Sequence, residues 1–130
     1  MDRALDILKQ YYGYSSFREG QENIIREILN GNDVLTIMPT GGGKSICYQV
    51  PAMLLDGITI VISPLISLMK DQVDNINNLG IKSAYINSSL NNIEINNILD
   101  EAAKNEIKIL ENLWGKDNEK CTWYWIQAIW

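Results

Sequence analysis

Histidine is absent from this sequence of 130 residues. That absence removes imidazole acid–base catalysis and histidine-ligated metals outright. Cysteine is nearly absent: Cys47 and Cys121 stand far apart, without the spacing of a metal site. Reduced thiols in a cytoplasmic protein are the simplest expectation, and the first residues carry no signal-peptide pattern. Long hydrophobic runs are lacking too, and the longest is far too short to span a bilayer, so no membrane partner is expected. Positive charge is scarce. Eleven Lys and Arg against sixteen Asp and Glu leave a formal charge of −5. This argues against the broad basic footprint of an independent nucleic-acid binder, though not against contacts by a few placed residues. What is present is 46% apolar and 21% charged, the composition of a chain that folds around a core. The length suits one small domain and not two.

The most telling stretch is Met38-Pro39-Thr40-Gly41-Gly42-Gly43-Lys44-Ser45. It follows the apolar run Val34-Leu35-Thr36-Ile37 and opens a helical pattern. Strand, glycine loop, Lys-Ser and helix make the layout of a phosphate-binding P-loop. Thr40, Gly41, Gly42 and Gly43 let backbone N–H groups converge on anionic oxygens, and the helix adds its free N-terminal donors. Lys44 is placed to reach the β- and γ-phosphates, and the Ser45 hydroxyl to ligate a phosphate-bound Mg²⁺. The bland alternative is a glycine-rich turn before a surface helix. Met38 departs from the general pattern, which starts with glycine.

Two further segments flank the loop. Upstream stands Tyr12-Gly13-Tyr14-Ser15-Ser16-Phe17-Arg18-Glu19-Gly20-Gln21, and downstream Ile62-Ser63-Pro64-Leu65-Ile66-Ser67-Leu68-Met69-Lys70-Asp71-Gln72-Val73. Ser63 as N-cap with Pro64 at the first helical position starts a helix well. Three motifs in this order and spacing resemble the RecQ family of ATP-dependent DNA helicases, in superfamily 2, where Pro-Thr-Gly-x-Gly-Lys-Ser is the usual form of the P-loop. The resemblance runs from about Leu8 to Ser89, and more faintly to Leu110. It implies that Gln21 bonds the adenine edge, Tyr14 stacks on the ring and Arg18 helps hold ATP. A Gln amide offers the donor and acceptor that adenine requires; alone, Gln21 reads as a polar residue on an exposed helix face. The resemblance also implies that Ser63, Pro64, Lys70 and Gln72 touch single-stranded DNA, with Asn87 and Ser88 in a second such segment. Ordinary capping explains Asn87 and Ser88 equally well.

The rest of the chain alternates. Residues 3–11 read as a short helix with Ala4, Ile7, Leu8 and Tyr11 on one face. A helix from Ser16, boxed by Glu19, carries Ile24, Ile25, Ile28 and Leu29 to a stop at Asn30-Gly31. Residues 33–38 read as a buried strand. A helix from Lys44 runs toward Leu55, with Pro51 a disturbance. Residues 58–63 read as a strand covered on both faces. A helix over 64–79 ends at Gly80, a strand covers 83–87, and a helix over 91–104 starts with Asn91 and Glu94 as a capping box. Residues 107–110 read as a last strand. This is an α/β pattern: a parallel sheet with helices on both faces and the P-loop at a strand's carboxyl end. With the resemblance, it implies a truncated RecA-like P-loop NTPase lobe over residues 1–110.

After Leu110 the resemblance stops. RecQ relatives continue into Ala-Pro-Glu-Arg-Leu and then a strand ending in Asp-Glu-Ala-His, and neither is present. Asp100-Glu101-Ala102 is a decoy for the latter, because Ile95, Ile98, Leu99 and Ala102 fall at helical spacing. Residues 111–130 read as a divergent tail, foreign to the family fold, that holds all four tryptophans, Trp114, Trp123, Trp125 and Trp130. The expectation is the ATP-binding part of a 3′-to-5′ DNA helicase, using ATP and Mg²⁺, without a second lobe and with little or no activity. Two alternatives stay open: a nucleotide- or DNA-binding remnant without turnover, and an unrelated P-loop phosphotransferase. The Gln21 segment and Ser63-Pro64-Leu65 speak against the second. Nothing in the sequence indicates an oligomeric state.

Overall fold

The computed structural model describes residues 1–38, 43–63, 66–113 and 126–128. They fall into two compact units, 1–56 and 57–130.

The first unit is helical. Helix α1 (Asp2–Ile7) continues through a π-helical turn, Leu8–Tyr12, to Gly13, whose φ of 73° ends it. Ala4 and Leu8 are buried, as the apolar stripe predicts. Helix α2 (Gln21–Leu29) begins five residues later than the capping-box reading places it. Gly20 takes a left-handed φ of 85°, the Gln21 side chain captures the Arg18 N–H at 2.8 Å, and Gln21 N–H donates back to Arg18 O, so residues 18–21 close a turn ahead of the helix. The stop at Asn30-Gly31 is as expected. Gly31 N–H donates to Ile28 O and Asn32 N–H to Glu27 O, each at 3.0 Å, which satisfies two terminal carbonyls in a Schellman motif. Helix α3 (Lys44–Leu54) runs through Pro51 without breaking. Ile25 and Val50 meet Ala4 in the core, with Phe17, Leu29, Ile46 and Leu54 packed around them. Each such aliphatic side chain contributes about 1.5–3 kcal/mol on burial.

The expected strand over 33–38 does not form. Leu35 and Ile37 are 94% and 95% exposed, and no described strand pairs with the run. Apolar composition cannot make a strand by itself, because its N–H and C=O groups need a ladder.

The second unit is a four-stranded parallel sheet in the order β2-β3-β1-β4, with β1 Thr59–Ser63, β2 Ser83–Ile86, β3 Ile109–Leu113 and β4 Ile126–Ala128. Ile60, Val61 and Ile62 are all buried although successive residues point to opposite faces, so β1 is covered on both sides. Helix α4 (Ile66–Asn78) ends at Gly80, and α5 (Asn92–Ala103) starts at Asn91, whose side chain accepts from Glu94 N–H at 2.8 Å. Ile95, Ile98 and Ala102 of α5 pack on Leu110, Ile86 and Ile107, while Leu99 turns outward. The next residue of β3, Glu111, points the other way, toward Gln72 of α4. Helices therefore cover both faces of the sheet, as the alternation predicts. Strand β4 is a finding that the sequence pattern did not indicate.

Candidate functional site

Thr40, Gly41 and Gly42 lie outside the described residues; both feet of their loop are described. Cys47, on the first turn of α3, has its Sγ 3.9 Å from Met38 Sδ and 3.7 Å from Gly43 O. One buried thiol thus lies against the residue before the loop and the residue after it. Burial raises the Cys47 pKa, so the group stays a thiol and a donor. Gly43 is the N-cap of α3 with φ 81° and ψ 35°, a left-handed backbone that favours glycine. Lys44 then opens the helix, with Ser45 exposed beside it. The first turn of an eleven-residue helix directs N–H groups without intrahelical partners, and the positive end of its dipole, to this point.

Gln21 is not on an exposed face. It is 1% exposed, and its amide is used at both ends: Oε1 accepts from Arg18 N–H at 2.8 Å, and Nε2 donates to Gly43 O at 3.1 Å. A Cβ built on Gly43 would stand 2.2 Å from Gln21 Nε2 and 3.9 Å from Arg18 Nη1. Three of the sequence-predicted nucleotide residues, Arg18, Gln21 and Gly43, therefore converge at the start of α3, next to Lys44. Tyr14 is 51% exposed between the π-helical turn and the bend at residues 15–16, open to a stacking partner.

Behind this point lies a polar chain that sequence reasoning missed. The Tyr12 hydroxyl donates to Gln49 Oε1, and Gln49 Nε2 donates to the Tyr48 oxygen at 3.3 Å. Burial pushes the Tyr12 phenol well above its ordinary range, so it remains a donor. No pattern marks such a pairing across 37 residues of sequence.

In the second unit, the residues expected to touch DNA have varied surroundings. Ser63 ends β1, and Pro64 lies outside the described residues. Lys70 is exposed on α4. Gln72, with its amide oriented to donate, stands 3.2 and 3.0 Å from the carboxylate oxygens of buried Glu111. Asn87 is buried. Its Oδ1 accepts from Ser89 N–H at 2.9 Å, closing a turn over 87–89, and its Nδ2 points at Met69 Sδ, while Ser88 is exposed. Asp100 and Glu101 sit exposed on α5, a solvated helix face as the spacing indicated. Among the described residues no cluster of His, Cys, Asp and Glu could hold a metal by itself. None of the described helices is long and apolar enough to cross a membrane.

Comparison with known proteins decides the family. The family model described as DEAD/DEAH box helicase matches residues 18–117. The chain is 50% identical over 107 residues to the ATP-dependent DNA helicase RecQ of Haemophilus influenzae and 56% identical over 96 residues to that of Bacillus subtilis. It is 46% identical over 101 residues to the probable ATP-dependent DNA helicase RecS of Bacillus subtilis. These matches cover 82%, 73% and 77% of the chain. The chain belongs to the DEAD/DEAH box helicase family, in its RecQ branch. This RecQ-family chain spans 17%, 16% and 20% of the length of those three relatives. Its α/β sheet with helices on both faces is the part of a RecA-like P-loop fold that such a share of sequence can build.

Proposed function

We propose that the chain is the ATP-binding part of a RecQ-like, ATP-dependent 3′-to-5′ DNA helicase. Residues 1–110 are part of the first RecA-like lobe, and residues 111–130 are a tail of divergent sequence. The observation that carries the reading is the convergence of Arg18, Gln21 and Gly43 on the start of α3, beside Lys44 and Ser45. The residues present fit a nucleoside triphosphate. The helix start offers N–H donors and a positive dipole end to phosphate, Lys44 and Arg18 supply cations, and Ser45 supplies a hydroxyl for Mg²⁺. Gln21 retains capacity for adenine, since its amide has four bonding positions and two are used internally. When bound, Mg²⁺ would neutralise charge on the phosphates. Thr40, Gly41 and Gly42 belong to the same proposal as backbone donors, and Tyr14 as the stacking ring.

Ser63, Pro64, Lys70, Gln72, Asn87 and Ser88 are the proposed contacts to single-stranded DNA. The names of the relatives support a DNA partner, and the exposure of Lys70 and Ser88 supports those two most directly. A place in the cytoplasm goes with this reading. A binding role without turnover is favoured for the 130-residue polypeptide by the position of its adjacent acidic pair on α5.

Base selectivity tests the adenine site. ATP is expected to compete better than GTP for the wild-type chain, and Gln21→Ala to erase the difference. Competition against a fluorescent ATP analogue measures both. Equal binding of the two purine nucleotides by the wild type removes the adenine-reading role.

A further inference from the structure

We infer that Glu111 withholds Gln72 from single-stranded DNA, its carboxylate standing in for a phosphate inside the protein. The inference rests on the proposed DNA contact of Gln72 and adds a competitor for it, supplied by the first residue of the divergent tail. Three observations carry it. Glu111 is 0% exposed on β3, which pairs with β1 on one side and β2 on the other, so bulk water does not reach its carboxylate. The Gln72 amide, oriented to donate, stands 3.2 and 3.0 Å from the two carboxylate oxygens. Gln72 also lies on the stripe of α4 that carries buried Met69, Val73 and Ile76. Lys70, two residues away, is exposed on a different face.

A carboxylate and a phosphodiester offer a primary amide the same thing, a pair of anionic acceptor oxygens. One Gln72 cannot serve both, because its two N–H donors leave a single nitrogen. To reach a phosphate in solvent the side chain must leave Glu111. A buried anion then loses a donor that water does not replace, and this cost opposes DNA binding. Gln72 itself is half-buried, so once released it can turn toward solvent. Removing the carboxylate therefore makes the amide available.

Fluorescein-labelled oligothymidylate, titrated with the full chain and read by anisotropy, tests the competition. The variants are Glu111→Leu, Glu111→Gln, and Glu111→Leu combined with Gln72→Ala. Glu111→Leu is expected to bind about tenfold more tightly than the wild type, the effect of one freed donor to an anion. Glu111→Gln keeps the shape and an uncharged acceptor, so it should gain less, in the same direction. The double variant should lose the gain. In Glu111→Leu the Gln72 side-chain amide resonances should move when DNA is added. A gain that survives Gln72→Ala is the effect of one negative charge fewer and overturns the inference. No gain in Glu111→Leu, with weaker binding by the double variant, overturns it too and leaves Gln72 a DNA contact. Loss of helical circular dichroism in both Glu111 variants makes Glu111 a folding residue and overturns it as well. If no chain binds the oligonucleotide, or if Gln72→Ala and Glu111→Leu both leave affinity unchanged, the proposed DNA contact of Gln72 fails and the inference falls with it.

Discussion

The purified 130-residue chain is expected to separate no DNA strands and to release phosphate from ATP at no more than a trace rate. Phosphoryl-transfer catalysis is nearly all positioning and electrostatic stabilisation, with a carboxylate to hold Mg²⁺ and a group to orient the attacking water. Asp100-Glu101 is the only adjacent acidic pair in the sequence, and it lies exposed on α5 instead of at a strand's end. An arginine finger, where one exists, is worth roughly a thousand- to a hundred-thousand-fold in rate. Unwinding further needs a second lobe moving against the first, and 130 residues are too few to build both. These losses act together and amount to many orders of magnitude. DNA-stimulated phosphate release at saturating ATP measures the outcome, with an Asp100→Asn, Glu101→Gln variant beside the wild type. Robust turnover that the double variant loses would identify Asp100 and Glu101 as the catalytic pair after all.

Replacing Lys44 should remove ATP and ADP binding from the range calorimetry detects. Lys44 is the only side-chain cation in the loop sequence over 38–45, and it opens α3 where the helix N-terminus already favours anions. Hydrogen bonds from an ammonium to phosphate oxygens are charge-assisted and about twice as strong as neutral ones. Losing them costs about 3 kcal/mol, roughly a hundredfold in affinity. The backbone donors of a glycine loop cannot replace a lost charge. Arg18 stands near Gly43 but on another turn of chain, so it cannot take over the same phosphate geometry. Lys44→Ala should leave the helical content unchanged, because Ala is the better helix former. Equal nucleotide affinity in variant and wild type, by titration calorimetry, would sink the P-loop assignment.

What could be read from the sequence was mostly what local chemistry decides. The stops at Gly31 and Gly80 follow from glycine's access to positive φ, and both glycines adopt it, at 83° and 91°. The Asn91 cap follows from a short polar side chain just before an apolar stripe, and Ile95, Ile98 and Ala102 face inward as their spacing requires. Where tertiary contacts decide, the reading failed. Ser16 and Glu19 satisfy the capping-box pattern, yet the bonds of Gln21 to Arg18 and Gly43 delay α2 to residue 21. Val34, Leu35 and Ile37 have strand composition but no ladder, and a ladder is not a local property. Glu111 lies one residue past the strand expected over 107–110, yet β3 runs over Ile109–Leu113 and buries it fully, facing Gln72 of α4. The residue types of the candidate site were legible because phosphate chemistry restricts them to glycine, Lys and Ser. The Gln21-to-Gly43 bond was not, since it joins positions 22 residues apart that no periodicity links.

Backbone amide chemical shifts of the labelled chain, recorded as Mg-ATP is added, test the central claim most directly. The account predicts that the largest changes fall on Gln21, Gly43, Lys44 and Ser45, and that Ala84 and Tyr85 in β2 stay where they were. Saturating changes confined to the sheet, with Gly43, Lys44 and Ser45 unmoved, would contradict it.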